Sequence, residues 1–423
     1  MFNRKDLRRM LSASLMIGSL LFMPIANAAV ETYTGVGEYT MGEYENLSVA
    51  QERAKAKAER DAQEQAGIFV STYSRVENHK LTADEISTMT AGIIKVLEVK
   101  PQIIPIDNKS IKYVVTVVVN IDSDEINRWL EQNAQQMSEL VEQNRELQRK
   151  SDEQQREIIE LKKRLVGATT KSEKQTIEQK IKRADDEFLA VEKLRAGNSL
   201  TDHSEAIRLY SEAIELDPKL AMAYNNRGFE YIELKEYELA LGDLNRAVEL
   251  DSKLTLAYNN RGRVFARLKQ YDRAIADYNK AIELNPNYAN AYNNLGYTYD
   301  DLNRYDRAIE NYSKAIELNP NFAMAYNNRG FTYCFGMRDY ARAIADFDKA
   351  IEINPNFDWA HNNRGSAYYE MKDYARAIAD YSKAIELNPR YAKAYRNRGN
   401  AYQALGDAER AQADFDKAKS LGG

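Results

Sequence analysis

Apolar residues recur with two different periods along this chain, and the change of period divides it. Between about residues 29 and 122, runs such as "TYTGVGEYTMG" and "SIKYVVTVVVNI" alternate apolar and polar positions, which predicts strands. Beyond residue 122 apolar residues return every three or four positions, which predicts helices. The pattern therefore predicts a mainly α protein with a small α+β module, residues 29–122, towards its N-terminus.

Within this module, one alanine stripe predicts a helix that lies close against a sheet. Ser48-Val-Ala-Gln51 has the spacing of a capping box that opens the helix. The stripe then runs at i, i+4 through Ala50, Ala54, Ala58, Ala62 and Ala66. A strand is predicted at Phe69–Asn78, and a strand hairpin is predicted around Asp107-Asn108-Lys109. This order, β-α-β-(α)-β-β, resembles the N-terminal module of bacterial flagellar-assembly T proteins and of related small envelope lipoproteins.

Residues 123–184 predict a helical stalk. Asp122-Ser-Asp-Glu125 has residues that can cap its start. Its heptad positions hold Met137, Asn144, Ser151, Ile158 and Leu165, with Leu140, Leu147, Gln154, Leu161 and Ala168 at the partner position. "GATTKS", residues 167–172, breaks the register before a new stripe at Ile177, Ile181, Ala184, Phe188 and Val191. The stalk is therefore a coiled coil that pairs with a second copy, a single exposed helix, or a helix that bends back into an antiparallel pair.

Residues 185–423 carry a repeat. Units aligned at their "AY" begin at Ala221, Thr255, Ala289, Ala323, Asp358 and Ala392, with spacings of 34, 34, 34, 35 and 34 residues. A degenerate unit precedes them as "HSEAIRLYSEAIELDP". The period and the residues that recur at fixed positions of the units, such as Tyr224, Gly228 and Ala240, resemble those of the tetratricopeptide repeat. This resemblance implies an α-solenoid of helix pairs with a concave groove that binds protein or peptide partners.

The unit that begins at Ala323 carries the one extra residue. Its segment "CFGMRDY" is longer than the equivalent segment of the other units. We therefore expect a local bulge near Gly336.

An arginine and an aspartate occur together in five of these units. The arginine is at the seventh position and the aspartate on the second helix, whereas the unit beginning at Ala289 has Leu295 and Asn311 instead. Because both charges disappear together, we predict a partly buried salt bridge between the two helices of one unit. The predicted pairs are Arg227–Asp243, Arg261–Asp277, Arg329–Asp346, Arg364–Asp380 and Arg398–Asp414.

Two asparagines precede that seventh position in most units. Asparagine is a mediocre helix former, so its recurrence suggests either a role or a recent duplication. The first helix lines the groove in tetratricopeptide repeats, and an amide has a donor and an acceptor that match an extended peptide backbone. The alternative is that the amides satisfy local hydrogen bonds. The candidate groove residues are Asn225, Asn226, Asn259, Asn260, Asn293, Asn294, Asn327, Asn328, Asn362, Asn363 and Asn397.

The first 28 residues have the features of a signal peptide. "MFNRKDLRRM" is basic, an apolar stretch follows, and Ala26-Asn27-Ala28 predicts cleavage between Ala28 and Ala29. An uncleaved anchor is the alternative, but the apolar run is short for a span. We expect a bacterial periplasmic or cell-envelope protein with no stable membrane span after cleavage. The formal net charge is −5, and the sequence has no basic stripe that would indicate nucleic-acid binding.

The sequence offers little for catalysis. Its three histidines, His79, His203 and His361, do not have the spacing of metal ligands, and no Ser–His or Cys–His grouping suggests a nucleophile. Cys334 is the only cysteine, so no internal disulfide is possible. It is either a packing residue or a free thiol. Gly35-Val-Gly37 lacks the context of a phosphate loop. We therefore predict no enzyme activity, no cofactor and no metal site.

The functional prediction is an exported, non-catalytic adaptor whose repeat groove binds a protein or an extended peptide, with a possible homodimer through the stalk. One alternative is a structural envelope-assembly or cell-wall-associated factor related to motility or cell division. Another is a periplasmic chaperone, which would bind many unfolded chains instead of selected partners.

Overall fold

A computed structural model describes residues 30–41, 47–76, 86, 89–90, 93–106, 110–122, 126, 137–198, 200 and 202–422. The predicted cleavage site at Ala28 and Ala29, the hairpin turn at residues 107–109 and His79 lie outside these described residues.

The N-terminal module is a three-stranded antiparallel sheet with one long helix against it. Strands β1 (Val30–Met41), β2 (Lys95–Pro105) and β3 (Ile111–Asp122) are arranged in the order β1-β3-β2. Strand β1 pairs with β3 from Val30 opposite Asp122 to Met41 opposite Ile111. A β-bulge between Val96 and Glu98 shifts the register of β2 on β3. The predicted small α+β module is therefore confirmed.

Helix α1 (Leu47–Val76) packs on the sheet through its alanine stripe. Ala54, Ala58 and Ala62 are buried against Val115 and Val117 of β3. Two glycines of β1 make the close approach possible, because a Cβ on Gly35 or Gly37 would overlap backbone atoms of α1, including the carbonyl oxygens of Ala58 and Ala54 respectively. The Gly35-Val-Gly37 motif is thus a contact between strand and helix.

The predicted strand at Phe69–Asn78 is wrong over its described part, because α1 continues to Val76. Val70 follows Ala66 at the same four-residue spacing, and both side chains are fully buried with Met89 and Ile121. The helical stripe therefore extends past the point where β-branched residues suggested a change of structure.

The stalk is an antiparallel pair of helices, α2 (Met137–Gly167) and α3 (Lys171–Asn198). The chain turns where "GATTKS" breaks the heptads. On either side of the turn, Leu161 and Ala168 pack against Ile177 and Ile181, and further along Leu147 packs with Val191 and Leu194. The side chains of Met137, Leu140 and Asn144 are not among those described. The described part of the heptad seam is therefore covered within one chain, as in the alternative of a helix that bends back.

A buried ion pair joins the module to the stalk. Arg53 Nη2 of α1 donates to Asp185 Oδ1 of α3 at 2.8 Å, and both residues are only 4% exposed. The guanidinium carbon also lies 4.6 Å from the ring centroid of Phe188. Because a buried charge without its partner costs several kcal/mol, this contact fixes α1 on α3.

The rest of the chain is a succession of helix pairs. Helix α4 (His203–Leu216) packs on the end of α3, and Tyr210 lies against Gly197, so α3 and α4 form the degenerate unit. We number the six clear units as repeats 1 to 6. Their first helices are α5 (Ala221–Glu233), α7 (Thr255–Arg267), α9 (Ala289–Asp301), α11 (Ala323–Phe331), α13 (Asp358–Glu370) and α15 (Ala392–Ala404). Their second helices are α6 (Tyr237–Leu250), α8 (Tyr271–Leu284), α10 (Tyr305–Leu318), α12 (Tyr340–Ile353), α14 (Tyr374–Leu387) and α16 (Ala408–Ser420). The predicted solenoid is confirmed.

Each repeat closes around a glycine of its first helix, which faces a leucine in repeat 1 and an aromatic ring in repeats 2 to 6. In repeat 2, a Cβ on Gly262 would come within 2.7 Å of the Tyr278 ring, so glycine allows the two helices to cross closely. The turn between them uses a left-handed residue, which is Lys269 with φ of 59° in repeat 2 and Gly406 with φ of 82° in repeat 6. In repeats 2 to 5 the second helix ends at an asparagine before proline, such as Asn285, whose Oδ1 accepts from the Asn287 amide at 3.0 Å.

Repeat 4 departs from this pattern where the sequence has its extra residue. Helix α11 ends at Phe331 and continues as one π-helical turn, Thr332–Gly336. The expected bulge near Gly336 is therefore a widened helical turn. Among the helices of the described part of the chain, none is long and apolar enough to cross a membrane.

Candidate binding groove

The arginine at the seventh position of a repeat forms a two-pronged contact with the aspartate of the same repeat. In repeat 1, Arg227 Nε donates to Asp243 Oδ2 at 2.7 Å and Nη2 donates to Oδ1 at 2.8 Å. The structure brings together all five pairs in this way: Arg227–Asp243, Arg261–Asp277, Arg329–Asp346, Arg364–Asp380 and Arg398–Asp414. Parallel hydrogen bonds of this kind fix both distance and orientation.

The same arginines also reach the preceding unit, a contact that the sequence alone did not predict. Arg261 Nη1 donates to Asn245 Oδ1 on the second helix of repeat 1 at 2.9 Å. The equivalent acceptors of the other four arginines are Ser211, Ser313, Asp348 and Ser382. In every case the acceptor is a polar residue sixteen positions before the arginine, and this spacing is the sequence signal for the contact. Each arginine therefore ties three helices and two units together.

Repeat 3 replaces this arrangement with an apolar contact. Leu295 is buried with Tyr278 and Phe265 of repeat 2. Asn311, in the position of the aspartate, turns back and donates from Nδ2 to the Arg307 carbonyl at 2.8 Å. The replacement of both charges leaves no unpaired ion at this site.

The paired asparagines form a ladder that runs from one first helix to the next. Asn260 Nδ2 donates to Asn225 Oδ1 at 3.1 Å, and Asn225 Nδ2 donates to its neighbour Asn226 at 2.9 Å. The ladder begins at the degenerate unit, where Asn226 Nδ2 donates to Asn198 Oδ1 at 2.8 Å. The later steps between repeats join Asn294 to Asn259, Asn328 to Asn293, Asn363 to Asn327 and Asn397 to Asn362.

Most of these amides are inside the protein. Eight of the eleven predicted groove asparagines are at most 8% exposed: Asn225, Asn226, Asn259, Asn260, Asn293, Asn327, Asn362 and Asn363. Asn294, Asn328 and Asn397 are half-buried. Hydrogen bonds within the ladder already use the oxygen of each first asparagine of repeats 1 to 5. The ladder therefore primarily cross-links the repeats and only secondarily forms a surface.

The first helices also lie along one side of the array. First helices of neighbouring repeats come closer to each other than second helices do, so they line the inner, concave face. One position of the first helices, the ninth residue of each repeat, has side chains that change in character along the array. It holds Phe229, Arg263, Tyr297, Phe331, Ser366 and Asn400.

Large apolar side chains are exposed on this face in repeats 3 and 4. Tyr297 is 47% exposed, Phe331 is 37% exposed and Phe335 is 45% exposed. In repeat 2, by contrast, Arg263 lies 5.2 Å from the ring centroid of Phe229 and donates to Glu233 at 3.0 Å. The middle of the array therefore presents aromatic surface, whereas its beginning is occupied by internal ion pairs and cation–π contacts.

Two carboxylates stand beside this aromatic surface. Asp300 and Asp301 end the first helix of repeat 3. Burial raises the pKa of Asp300 to about 6, against the opposing effect of a hydrogen bond with Thr332, and the charge of Asp301 adds to the increase. Burial also raises the pKa of Asp301, although Arg267 and Lys269 act in the opposite direction. Asp300 is therefore a half-buried acid that lacks a cationic partner among the described residues.

Cys334 and His361, which were also considered for chemistry, lie in packing environments. Cys334 is buried with Tyr333, Ala343 and Phe347, and burial raises the pKa of its thiol to about 12. The buried His361 has Nε2 3.2 Å from the Pro355 carbonyl oxygen and Nδ1 3.7 Å from Asp380. Within the described residues, no group of three metal-ligating side chains comes together.

Comparison with known proteins identifies the repeat. A family model described as a TPR repeat matches residues 262–302, 339–372 and 365–406. Models described as a tetratricopeptide repeat match residues 221–254, 289–322, 311–345 and 392–421.

Similarity to individual proteins extends over parts of the chain. Serine/threonine-protein phosphatase 5 of Homo sapiens and that of Rattus norvegicus are each 47% identical over 45 residues, which is 11% of this chain and 9% of the phosphatase. The crystal structure of MamA is 30% identical, with a TM-score of 0.35, and the match covers 38% of this chain and 94% of MamA. The structure of YrrB, described as a TPR protein with an unusual peptide-binding site, is 27% identical with a TM-score of 0.34 over 44% of this chain and 95% of YrrB. The family models together identify residues 221–254 and 262–421 of this chain as tetratricopeptide repeats.

Proposed function

We propose that this protein is an exported, non-catalytic scaffold whose repeat array holds an extended segment of a partner protein on its concave face. The observation that carries the proposal is the exposed aromatic side chains of Tyr297, on the first helix of repeat 3, and of the ring pair Phe331 and Phe335, at the end of the first helix of repeat 4 and in its π-helical turn. Exposed apolar side chains on adjacent elements are typical of surfaces that bind another chain. In this proposal the ladder asparagines form the floor of the groove, and the side chains nine residues into each repeat contact the partner's side chains.

The half-buried Asn294, Asn328 and Asn397 supply the contact with the partner's backbone. Each uses one N–H of its amide within the ladder, and an amide nitrogen has two. The second N–H of each of these amides, in repeats 3, 4 and 6, can donate to a carbonyl of an extended chain. The binding strip expected from the sequence is thereby restricted to these three amides.

Site-specific photocrosslinking tests this proposal. p-Benzoylphenylalanine is introduced in place of Tyr297 in the full chain, and the control carries it in place of Leu239, an exposed side chain on the second helix of repeat 1. After irradiation in envelope extract, we expect discrete adducts at position 297 and few at position 239. Equal adduct patterns at both positions would overturn groove binding. A broad smear of adducts at position 297 would instead favour the chaperone alternative.

Export is a separate part of the proposal. The basic segment, the apolar run and the Ala26-Asn27-Ala28 motif support secretion with cleavage before Ala29. The mass of the protein recovered from the periplasmic fraction of a bacterial host should correspond to a chain that begins at Ala29. A full-length mass in the cytoplasmic fraction would contradict it.

The structural-assembly alternative is favoured by a second exposed surface. Every residue of the edge strand β2 is exposed, including Val96, Leu97 and Ile103, and the module that presents it is fixed to the stalk by Arg53 and Asp185. A homodimer through the stalk would need a surface other than the described heptad seam. Analytical ultracentrifugation of the mature chain decides between a monomer and this dimer.

A further inference from the structure

The extra residue of repeat 4 changes the shape of the groove. In repeat 1 the turn between the helices closes with the Glu236 amide donating to the Tyr231 carbonyl, five residues earlier, at 2.8 Å. In repeat 4 the equivalent bond runs from Asp339 to Tyr333, six residues earlier, at the same distance. The additional residue is absorbed in the π-helical turn, and π-bulges often occur at functional sites.

The widened turn packs against repeat 3. A Cβ on Gly336 would come within 2.8 Å of the Tyr305 ring, so the turn rests directly on the second helix of repeat 3. At this turn Phe331 and Phe335 form an aromatic pair. Their ring centroids are 4.6 Å apart, and both side chains are exposed to solvent. Among the six repeats, the position of Phe335 otherwise holds Glu233, Arg267, Asp301, Glu370 and Ala404.

Next to this pair the groove is hollow. Ser366 of repeat 5 occupies the position of Phe331, and its small side chain opens a cavity of about 380 Å³. The floor of the cavity is Tyr381, whose hydroxyl donates to Ser366 Oγ at 3.3 Å, and the far side carries Lys393 and Asn400 of repeat 6. The cavity therefore has an aromatic near wall, a polar far wall and room for one large side chain.

Two carboxylates that do not line the cavity, Asp300 and Asp301, lie at the end of the first helix of repeat 3, and one carboxylate, Glu370, lines the cavity. Asp300 lies beside Thr332, the first residue of the π-helical turn, whose hydroxyl donates to the Asn328 carbonyl at 3.1 Å, and Asp301 follows Asp300 in the chain. The one basic residue in the lining of the cavity is Lys393. Arg267 and Lys269 partly offset Asp301. Within the described part of the chain, Asp300 is left as an acid without a cationic partner, beside the Thr332 that directly follows Phe331.

We propose that this cavity binds an aromatic side chain of an extended partner segment, and that a lysine or arginine of the same segment pairs with Asp300. This inference rests on the proposed function, since it assigns the ligand class of the groove. Flat rings stack on Phe331 and Phe335, and the carboxylate selects a cationic neighbour by charge. The groove thus recognises an aromatic–basic motif, not the peptide backbone alone.

Selection from a random dodecapeptide display library on the full mature chain tests the motif. We expect enrichment of peptides with one aromatic and one basic residue at a fixed spacing. The best peptide is then measured by fluorescence anisotropy, together with versions in which the aromatic or the basic residue is alanine. Each replacement should weaken binding to the native chain, with at least a tenfold loss for the aromatic residue.

Matched variants locate the site. The double variant Phe331→Ala/Phe335→Ala removes the wall, and Ser366→Phe fills the cavity with the residue that repeat 4 has at the same position. Both should weaken binding at least tenfold. Asp300→Asn should weaken it severalfold and abolish the advantage of the basic residue. Leu239→Ala, on a second helix, should leave the affinity unchanged, and circular dichroism checks that each variant is folded.

The outcomes separate this inference from the proposed function. Selected peptides that crosslink at position 297 but lack an aromatic residue, or that bind the cavity variants normally, overturn the motif and leave groove binding intact. Peptides that require a free C-terminal carboxylate in place of the basic residue also overturn it and assign the polar wall at Lys393. If no selected peptide crosslinks at position 297, both proposals fail.

Discussion

Arg261 meets both carboxylate oxygens of Asp277 across the two helices of repeat 2, with Nε 2.7 Å from Oδ2 and Nη2 2.8 Å from Oδ1. Its third nitrogen donates to Asn245 of repeat 1. Asp277 is 7% exposed, so its charge depends on the arginine for solvation. The pair therefore stabilises one repeat and its junction with the preceding repeat.

Replacement of Arg261 by leucine should lower the free energy of unfolding by about 3 kcal/mol, because Asp277 is left buried and unpaired. The double variant Arg261→Leu/Asp277→Asn should lose only about 1 kcal/mol, since repeat 3 already has Leu295 and Asn311 at these positions. Denaturant unfolding followed by circular dichroism measures both. A double variant no more stable than the single one would show that the two side chains do not act as a pair.

The asparagine ladder should contribute measurably to the stability of the array. Asn293→Ala removes the acceptor of Asn328, so an amide between repeats 3 and 4 loses its partner. We expect a loss of about 1–2 kcal/mol, despite the better helix propensity of alanine. Asn279→Ala, at an exposed position of the second helix of repeat 2, is the control and should be neutral or slightly stabilising. Equal effects at the two positions would argue against the ladder.

Gly37→Ala should destabilise the N-terminal module by about 3 kcal/mol or more, because a Cβ would overlap the α1 backbone at Ala54. Gly242→Ala is the matched control. Gly242 lies inside the second helix of repeat 1 with no atom near the added Cβ, so alanine should stabilise that helix by about 0.5–1 kcal/mol. Hydrogen exchange should show faster exchange in β1 and α1 for the first variant alone. Unchanged protection there would refute the close contact.

Much of the fold follows from periodicity, and the errors have identifiable causes. The 34-residue period predicted the helix pairs of the repeats, because each unit repeats the same small and aromatic packing positions. The strand predicted at Phe69–Asn78 failed because Val70 both suits a strand and continues the helical stripe of Ala66. Local propensity cannot decide between the two readings, and the buried contact with the sheet does.

The groove was harder to predict than the fold. The paired loss of charge at Leu295 and Asn311 was visible in the sequence and indicated which helices the arginines join. The burial of the asparagines was not visible in the sequence, because it depends on how closely successive first helices approach each other. The cavity beside Phe335 requires a widened turn in one repeat and a serine in the next, Ser366. A single extra residue predicts a bulge, but not which side chains the bulge exposes.

Stability should depend on pH through Asp300. Burial raises its pKa to about 6 from an ordinary value of 3.8, so the unfolded chain releases this proton first and stability falls as pH rises between these values. Asp300→Asn should match the native chain below about pH 4 and be more stable above about pH 6. Glu310→Gln, at an exposed position of α10, is the control. A stability difference for Asp300→Asn that did not change with pH would contradict the raised pKa.

Replacement of the left-handed residue between the helices of repeat 2 by glycine should stabilise the protein. Lys269 has φ of 59°, a conformation that costs a residue with a Cβ about 1–2 kcal/mol. Lys269→Gly removes this strain but adds freedom to the unfolded chain, which costs about 0.5–1 kcal/mol. We therefore expect a net gain of about 0.5–1 kcal/mol in the free energy of unfolding. The reverse change in repeat 6, Gly406→Lys at φ of 82°, should lose a similar amount. Thermal unfolding measures both, and a loss of stability in Lys269→Gly would show that the lysine side chain contributes more than its backbone strain costs.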